Sequence, residues 1–328
     1  MRKYCLICFS KNLNKILKLG THPYADTFIS KNKLSQKEPM TKLEVDMCKN
    51  CGCIQTSHST STFRRYNLYN YSYTSSNSNF SQNHWKKYAV QVSKDLKIKN
   101  ETKILEIGSN DGFLLQQFKK LKKCNVVGVD ASSYMTKISR KNKIFTLNLI
   151  FNSKNSKKIL KKFGKFDVII ANNVFNHSDN PLDFIKGVEK LLKENGSFIF
   201  ELPYWLDTVK SKKFDQIYHE HVTYFNFRMI KKMISRTELK FYKAKKINYH
   251  GGSIRVYLKK NIENKNQKFI QKFITSEKRN NLFKLNTYKK LQSFIDLKKN
   301  KLLLKLKKIK SEKNSIIIGI GAAAKANT

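Results

Sequence analysis

From Lys103 to about residue 205 the chain alternates short apolar runs with amphipathic stretches, and that rhythm constrains the fold more than anything else in its 328 residues. Lys103-Ile-Leu-Glu-Ile107, Asn125-Val-Val-Gly-Val-Asp130, Phe166-Asp-Val-Ile-Ile-Ala171 and Gly196-Ser-Phe-Ile-Phe-Glu201 have strand length, and FLLQQFKKLKK after the first has helical spacing. Strands that take turns with helices predict a parallel, doubly wound α/β sheet. A sheet of that kind takes its ligand at the carboxyl ends of its strands.

The first of those ends is Leu105-Glu-Ile-Gly-Ser-Asn-Asp-Gly112. Small residues there let the backbone approach a ligand, and Asp130, closing the second run, is suited to accept both hydroxyls of a ribose. The GxGxxG spacing of dinucleotide sites is absent. An acid–x–Gly–x–x–x–Gly loop suits S-adenosylmethionine, which has no pyrophosphate to cradle. Glu106, Gly108, Asn110, Asp111, Gly112 and Asp130 are therefore the expected contacts, with Asn172 beyond the strand that ends at Ala171.

Four of the six cysteines form two CxxC pairs, Cys5-Leu-Ile-Cys8 and Cys48-Lys-Asn-Cys51. Each pair aims two thiolates at one point, and two such turns close a tetrahedral site suited to Zn²⁺. Every position is a Cys, so the metal is expected to be structural, with no open position for catalysis. Cys53 is a spare beside it, and Cys124 is expected in a core.

Two further motifs carry chemistry. Asp215-Gln-Ile-Tyr-His-Glu-His-Val-Thr-Tyr224 sets Tyr218, His219, Glu220 and His221 side by side, a cluster suited to moving protons. If the segment is extended, the two histidines share one face, and Tyr218 and Glu220 the other. His250-Gly-Gly-Ser-Ile-Arg-Val-Tyr257 allows close backbone approach before a strand, and Arg255 is a candidate phosphate partner. The Tyr- and Ser-rich stretch around Tyr71-Ser-Tyr-Thr-Ser-Ser76 reads as an ordered segment lying against a ligand or a domain face.

The net charge is +43, yet only eight of the positive residues are Arg, and the lysines are spread along the chain. That pattern reads as compositional drift and not as a nucleic-acid face, which would concentrate Arg and aromatics. It would still draw anionic small molecules. No apolar run is long enough to span a membrane and no leader is apparent, so the chain is read as cytoplasmic. The expected organisation is a zinc module over 1–60, a Tyr/Ser-rich segment and helix over 61–98, the α/β domain over 99–260 and a Lys-rich helical connector over 261–314. Residues 315–328, ending in Ile320-Gly-Ala-Ala-Ala-Lys-Ala-Asn-Thr328, read as the start of a second Rossmann-like unit, at which the chain is expected to stop early.

The order CxxC, CxxC, YSYTSS, LEIGSNDGFLL, DQIYHEH, HGGSIRVY and IGAAAKANT resembles the sugar C-methyltransferases that act on nucleotide-linked keto-sugars. The resemblance covers nearly the whole chain. It implies a Rossmann-like class I S-adenosylmethionine-dependent methyltransferase domain with an N-terminal zinc module and an incomplete C-terminal Rossmann-like domain. It also implies that His221 removes a proton from C-3 of a 4-keto sugar, with Tyr218 and Glu220 beside it. Tyr71 would face the sugar, and His177 would complete the site. His219 stays outside that set, and a protonated histidine is among the expected donors to the enolate. An O- or N-methyltransferase on another small metabolite, a zinc-ribbon RNA-binding protein and a non-catalytic remnant are the alternatives. Oligomeric state is left open.

Overall fold

The computed structural model describes residues 1–320 except 26, 29, 36, 68, 69, 72, 263–267 and 313–314. Its largest sheet has seven strands. In chain order they are β1 (Lys103–Ile107), β2 (Asn125–Asp130), β3 (Thr146–Asn148), β4 (Phe166–Ile170), β5 (Leu192–Pro203), β6 (Lys240–Ile247) and β7 (Ser253–Lys259). Side by side they run 3-2-1-4-5-7-6. Neighbours from β3 to β5 are parallel, and β7 is antiparallel to both β5 and β6. The strand order turns at β1 and β4, and a crevice opens there at their carboxyl ends.

The central strands lack polar alternation because both of their faces are covered. Ile104, Val168, Ile170 and Ile199 face one core, under α1 (Asn79–Leu96) and α2 (Phe113–Lys122). Their neighbours Leu105, Ile169, Phe198 and Phe200 face the other, with Ile159 of α4 (Ser153–Phe163) and Ile185 and Val188 of α5 (Pro181–Leu191). Helix starts follow the sequence: Ser78, Asn152 and Asn180 cap α1, α4 and α5, and Ser132 caps α3 (Ser133–Lys141), each accepting from a backbone N–H three residues on.

A second sheet carries the N-terminal module. Strands Leu13–His22, Thr41–Cys48 and Ile54–Thr56 pair antiparallel in that order. The fourth strand is Thr223–Tyr224, which follows the IYHEHV segment directly. The module expected over 1–60 is thus completed by a strand from the far side of the chain. This also corrects the extended reading of residues 218–221. A 3-10 turn at Phe214–Gln216 and a bond from His221 N to Tyr218 O (3.0 Å) fold the segment back before the strand begins.

Two short helices, α6 (Trp205–Lys210) and α7 (Phe227–Ile234), precede β6. The connector is two helices, α8 (Lys268–Arg279) and α9 (Leu285–Ser311). The first half of α9 buries Tyr288, Leu291 and Ile295, while Leu302, Leu303 and Leu304 are exposed. Residues 315–320 join neither sheet, and 321–328 lie outside the described residues. Among the described residues no helix is long and apolar enough to cross a membrane.

Candidate active site

A cavity of about 620 Å³ lies over the crevice. One end is built by the glycine loop. Glu106, Gly108, Asn110 and Asp130 face it from the ends of β1 and β2, and Asn172 and Asn173 from beyond β4. Gly108 has φ +71°, and a side chain there would strike Val174 at 2.8 Å. Glycine is required at that point by both backbone and space.

One carboxylate at this end is short of a partner. Glu106 Oε2 is buried without a hydrogen bond, and burial, reinforced by Asp111 and Asp130, pushes the Glu106 carboxyl well above its usual range. Asp130 accepts from the backbone N–H groups of Asn110 (2.9 Å) and Ser132 (2.8 Å), yet burial still lifts it to about 6. Asn172 spends its carbonyl oxygen on Glu201 N and the Tyr88 hydroxyl, which leaves its Nδ2 unpaired. A buried acid with an unpaired oxygen beside a second buried acid fits a ligand with ribose hydroxyls and positive charge. S-adenosylmethionine has both.

Asp111 and Gly112 sit elsewhere. Asp111 is outside the cavity wall and accepts from Ser75 Oγ (2.6 Å), Ser76 N (3.1 Å) and Ser76 Oγ (2.5 Å). Asn110 adds bonds to Ser75 N and Tyr73 O. The expected cofactor acid is therefore a clasp that holds the Tyr/Ser-rich strap across the loop. Gly112 caps α2, where a side chain would meet Ser139 at 2.6 Å.

The other end is built from histidines. His177, Tyr218, Glu220 and His221 all line the cavity. The rings of Tyr218 and His221 are 4.1 Å apart, and those of His177 and His221 5.2 Å. His221 Nδ1 lies 2.7 Å from Gln216 O. A carbonyl only accepts, so Nδ1 carries the proton and the lone pair of the neutral ring is on Nε2. His177 Nδ1 meets the Tyr66 hydroxyl at 2.7 Å, and its Nε2 is buried without a partner. Burial, with His221 and Arg65 nearby, holds His177 well below its ordinary pKa, so it is a neutral imidazole, and the protonated histidine expected among the donors is not this one.

His219 faces the other way. Its Nε2 donates to Thr41 O at 3.0 Å in the N-terminal module, and burial lowers it to about 4. Tyr71 lies in a short strand paired with Thr27–Phe28, and its side chain is outside the described residues. Arg255 is no phosphate partner. It is 3% exposed, paired to Glu201 at 2.7 Å and stacked on Tyr88.

Arg65 and Tyr66, from the short helix Thr62–Asn67, were not singled out in the sequence. An Arg-Arg-Tyr run in a Lys-rich chain was the available signal, but nothing local gives such a residue a buried destination.

The four sulfurs of Cys5, Cys8, Cys48 and Cys51 lie within 4.8 Å of one another. Tetrahedral zinc–sulfur bonds of about 2.3 Å set sulfurs about 3.8 Å apart, so these residues fit the ion. The same knuckle is tied to the histidine end: Asn226 Nδ2 donates to Gly52 O (2.8 Å), Arg228 to Asn50 O (2.8 Å), and Thr56 N to Val222 O (2.9 Å).

The strand order, the single antiparallel strand and the loop after β1 define a class I S-adenosylmethionine-dependent methyltransferase fold. Three family models match in succession: "Putative zinc binding domain" over 5–64, "Methyltransferase domain" over 82–243 and "C-methyltransferase C-terminal domain" over 248–328. Together these matches support a C-methyltransferase family with a zinc-binding N-terminal domain.

C-methyltransferase NovU of Streptomyces niveus is 23% identical over 253 residues, 77% of this chain and 60% of NovU. Ubiquinone biosynthesis O-methyltransferase of Pelagibacter ubique is 34% identical over 115 residues, 32% of this chain and 46% of that protein. The matched regions thus span 60% or less of these curated relatives. Magnesium protoporphyrin IX methyltransferase of Synechocystis PCC 6803, solved with bound SAH, aligns with a TM-score of 0.44 at 13% identity, over 55% of this chain and 83% of that one.

Proposed function

We propose that the chain is an S-adenosylmethionine-dependent C-methyltransferase acting on the carbon α to the ketone of a nucleotide-linked keto-deoxysugar. The reducing cytoplasm, where thiols stay available for zinc, is its proposed compartment. What supports the reading most is that one cavity has two buried acids at one end, Asp130 and Glu106 with its unpaired Oε2, and His177, Tyr218, Glu220 and His221 at the other.

When bound, S-adenosylmethionine supplies an electrophilic methyl group on a sulfonium. His221 Nε2 takes the proton from the α carbon, and the electron pair of the broken C–H bond moves onto the ketone oxygen. That oxygen needs donors placed where the charge develops. The Tyr218 hydroxyl and the neutral His177 ring are in reach of the same space, and the proposed place of Tyr71 is against the sugar. Methyl transfer to the α carbon would re-form the ketone and leave the S–CH₃ bonding pair on sulfur, and the chain's part in it would be positioning, which supplies much of the rate. The closed zinc site has no part in these transfers.

The test is incubation in D₂O with a thymidine-diphosphate 4-keto-deoxysugar, with and without S-adenosylmethionine. Deuterium is expected to enter at C-3, and the methyl to appear on that carbon. His221→Gln should slow exchange about 10²- to 10⁴-fold while cofactor affinity by calorimetry stays nearly intact. A methyl on oxygen, or no exchange with the intact chain, would sink the reading.

A further inference from the structure

We propose that the short helix Thr62–Asn67 is the positioning element of the histidine end: Tyr66 fixes the tautomer of His177 with Nε2–H toward the cavity, and Arg65 fixes the distance between the loops that carry His177 and His221. The catalytic part of this rests on the function proposed above; the tautomer does not.

The geometry is as follows. Arg65 is 1% exposed, and its guanidinium reaches four groups on three segments. It donates to His177 O (3.3 Å), His219 O (3.3 Å), Asp179 Oδ2 (2.9 Å) and Thr62 Oγ1 (2.9 Å). The two carbonyls belong to the loops that bring His177 and His221 into one wall. Asp179 balances the buried charge and is itself held by Arg2 at 2.9 Å and by the Thr62 hydroxyl. A fork with several fixed donors can tie two backbones and a carboxylate at once, whereas a single ammonium cannot.

Tyr66 acts on the ring itself. Its hydroxyl sits 2.7 Å from His177 Nδ1. Burial, with Glu220 nearby, keeps the phenol protonated, so it has a proton to donate. A neutral imidazole that accepts at Nδ1 carries its proton on Nε2. That nitrogen has no protein partner, and His177 lines the cavity. The arrangement delivers a neutral N–H donor where the ketone oxygen of a substrate would collect charge.

Histidine ¹⁵N spectra of the zinc-loaded chain, with the His177 signals assigned by their loss in His177→Gln, test the tautomer without any substrate. A protonated Nε2 is expected, and a protonated Nδ1 would overturn the proposal. Tyr66→Phe removes one oxygen and should mix the two tautomers. It should also lower kcat for α-proton exchange about 10- to 100-fold with KM nearly unchanged, as loss of an orienting partner does elsewhere. A pure tautomer with full kcat in that variant would overturn it too. Arg65→Lys keeps the charge but not the fork. It should lower kcat while leaving the His177 tautomer as it was, and an unchanged kcat would remove Arg65 from the role. If the ¹⁵N result holds and no exchange occurs even with the intact chain, the reaction was misassigned and the tautomer lock stands.

Discussion

At the glycine-loop end, the cavity wall comes from β1, β2 and the turns that follow β1, β2 and β4, all within one strand–helix alternation. At the histidine end, it comes from residues 62–66, 177–179 and 216–221, which meet through bonds that bridge more than a hundred positions, such as Arg65 to His177 O and His219 O. The first end follows from local rules: where a strand stops, a glycine turns and a capped helix starts. The second exists only once distant loops have closed, so their ordering entropy must be offset by buried polar bonds and by the sheet strand Thr223–Tyr224. The two ends should therefore respond differently to the same insult.

Zinc gives the largest contrast. The knuckle at Cys48–Cys53 anchors Asn226 and Arg228, and the adjoining strand Ile54–Thr56 pairs with the strand after His221. Cys48→Ser, or chelation, removes a closed structural site whose binding energy is folding energy. Metal content should fall below one ion per chain. α-Proton exchange should fall at least about 100-fold, while cofactor affinity falls less than about tenfold. Calorimetry and exchange on the same sample decide it. Equal losses at both ends would show that the ends are one cooperative unit and that the contrast is false.

The same contrast explains what could be read from the sequence. The α/β alternation, the loop after β1 and Asp130 were visible because their meaning is local. So were the CxxC pairs, since spacing alone defines a metal turn. The YHEH motif suggested the chemistry proposed above but not its geometry: the reversal at Tyr218–His221 precedes a strand that pairs with Gln55 and Ile54, far away in the chain. Arg65 and Tyr66 carried only a weak signal, an Arg-Arg-Tyr run in a Lys-rich chain, with nothing local to give it a buried destination. Asp111 misled for the opposite reason. It sits in a ligand-like loop, yet its partners are the strap serines, which no spacing rule connects to it. Arg255, read as an anion partner, is consumed by buried Glu201 on the neighbouring strand.

Asp130→Asn is expected to act at the glycine-loop end alone. Replacing a charged acceptor of ribose hydroxyls by an amide should weaken cofactor binding about 10- to 100-fold. Its effect on the ligand-free chain has the opposite sign. The folded carboxyl sits at about 6 against an ordinary 3.8, so folding favours its protonated form. Its contribution to stability is complete below about pH 4 and is lost as pH rises through about 6. The shift is worth about 3 kcal/mol, of which about 1 returns as a cost when the amide faces a backbone N–H. Denaturation from pH 4 to 8 should therefore show a flatter profile for the variant and a more stable variant at pH 8. An unchanged profile would mean that Asp130 is ionised in the folded chain throughout.

Ser76→Ala gives the smallest effect and the sharpest test of where the two ends meet. The strap Tyr73–Ser76 leads from the helix of Arg65 to the glycine loop, and Asp111 holds it through Ser75 Oγ, Ser76 N and Ser76 Oγ. Deleting one hydroxyl leaves the other two bonds, so the loss in stability should be about 1 kcal/mol. If the strap belongs to the glycine-loop end, cofactor affinity should weaken by about fivefold or less, with kcat for exchange unmoved; the same 1 kcal/mol sets that ceiling. If kcat falls and affinity holds, the strap works for the histidines through Tyr66, and the boundary between the ends lies at Asp111 rather than at His177.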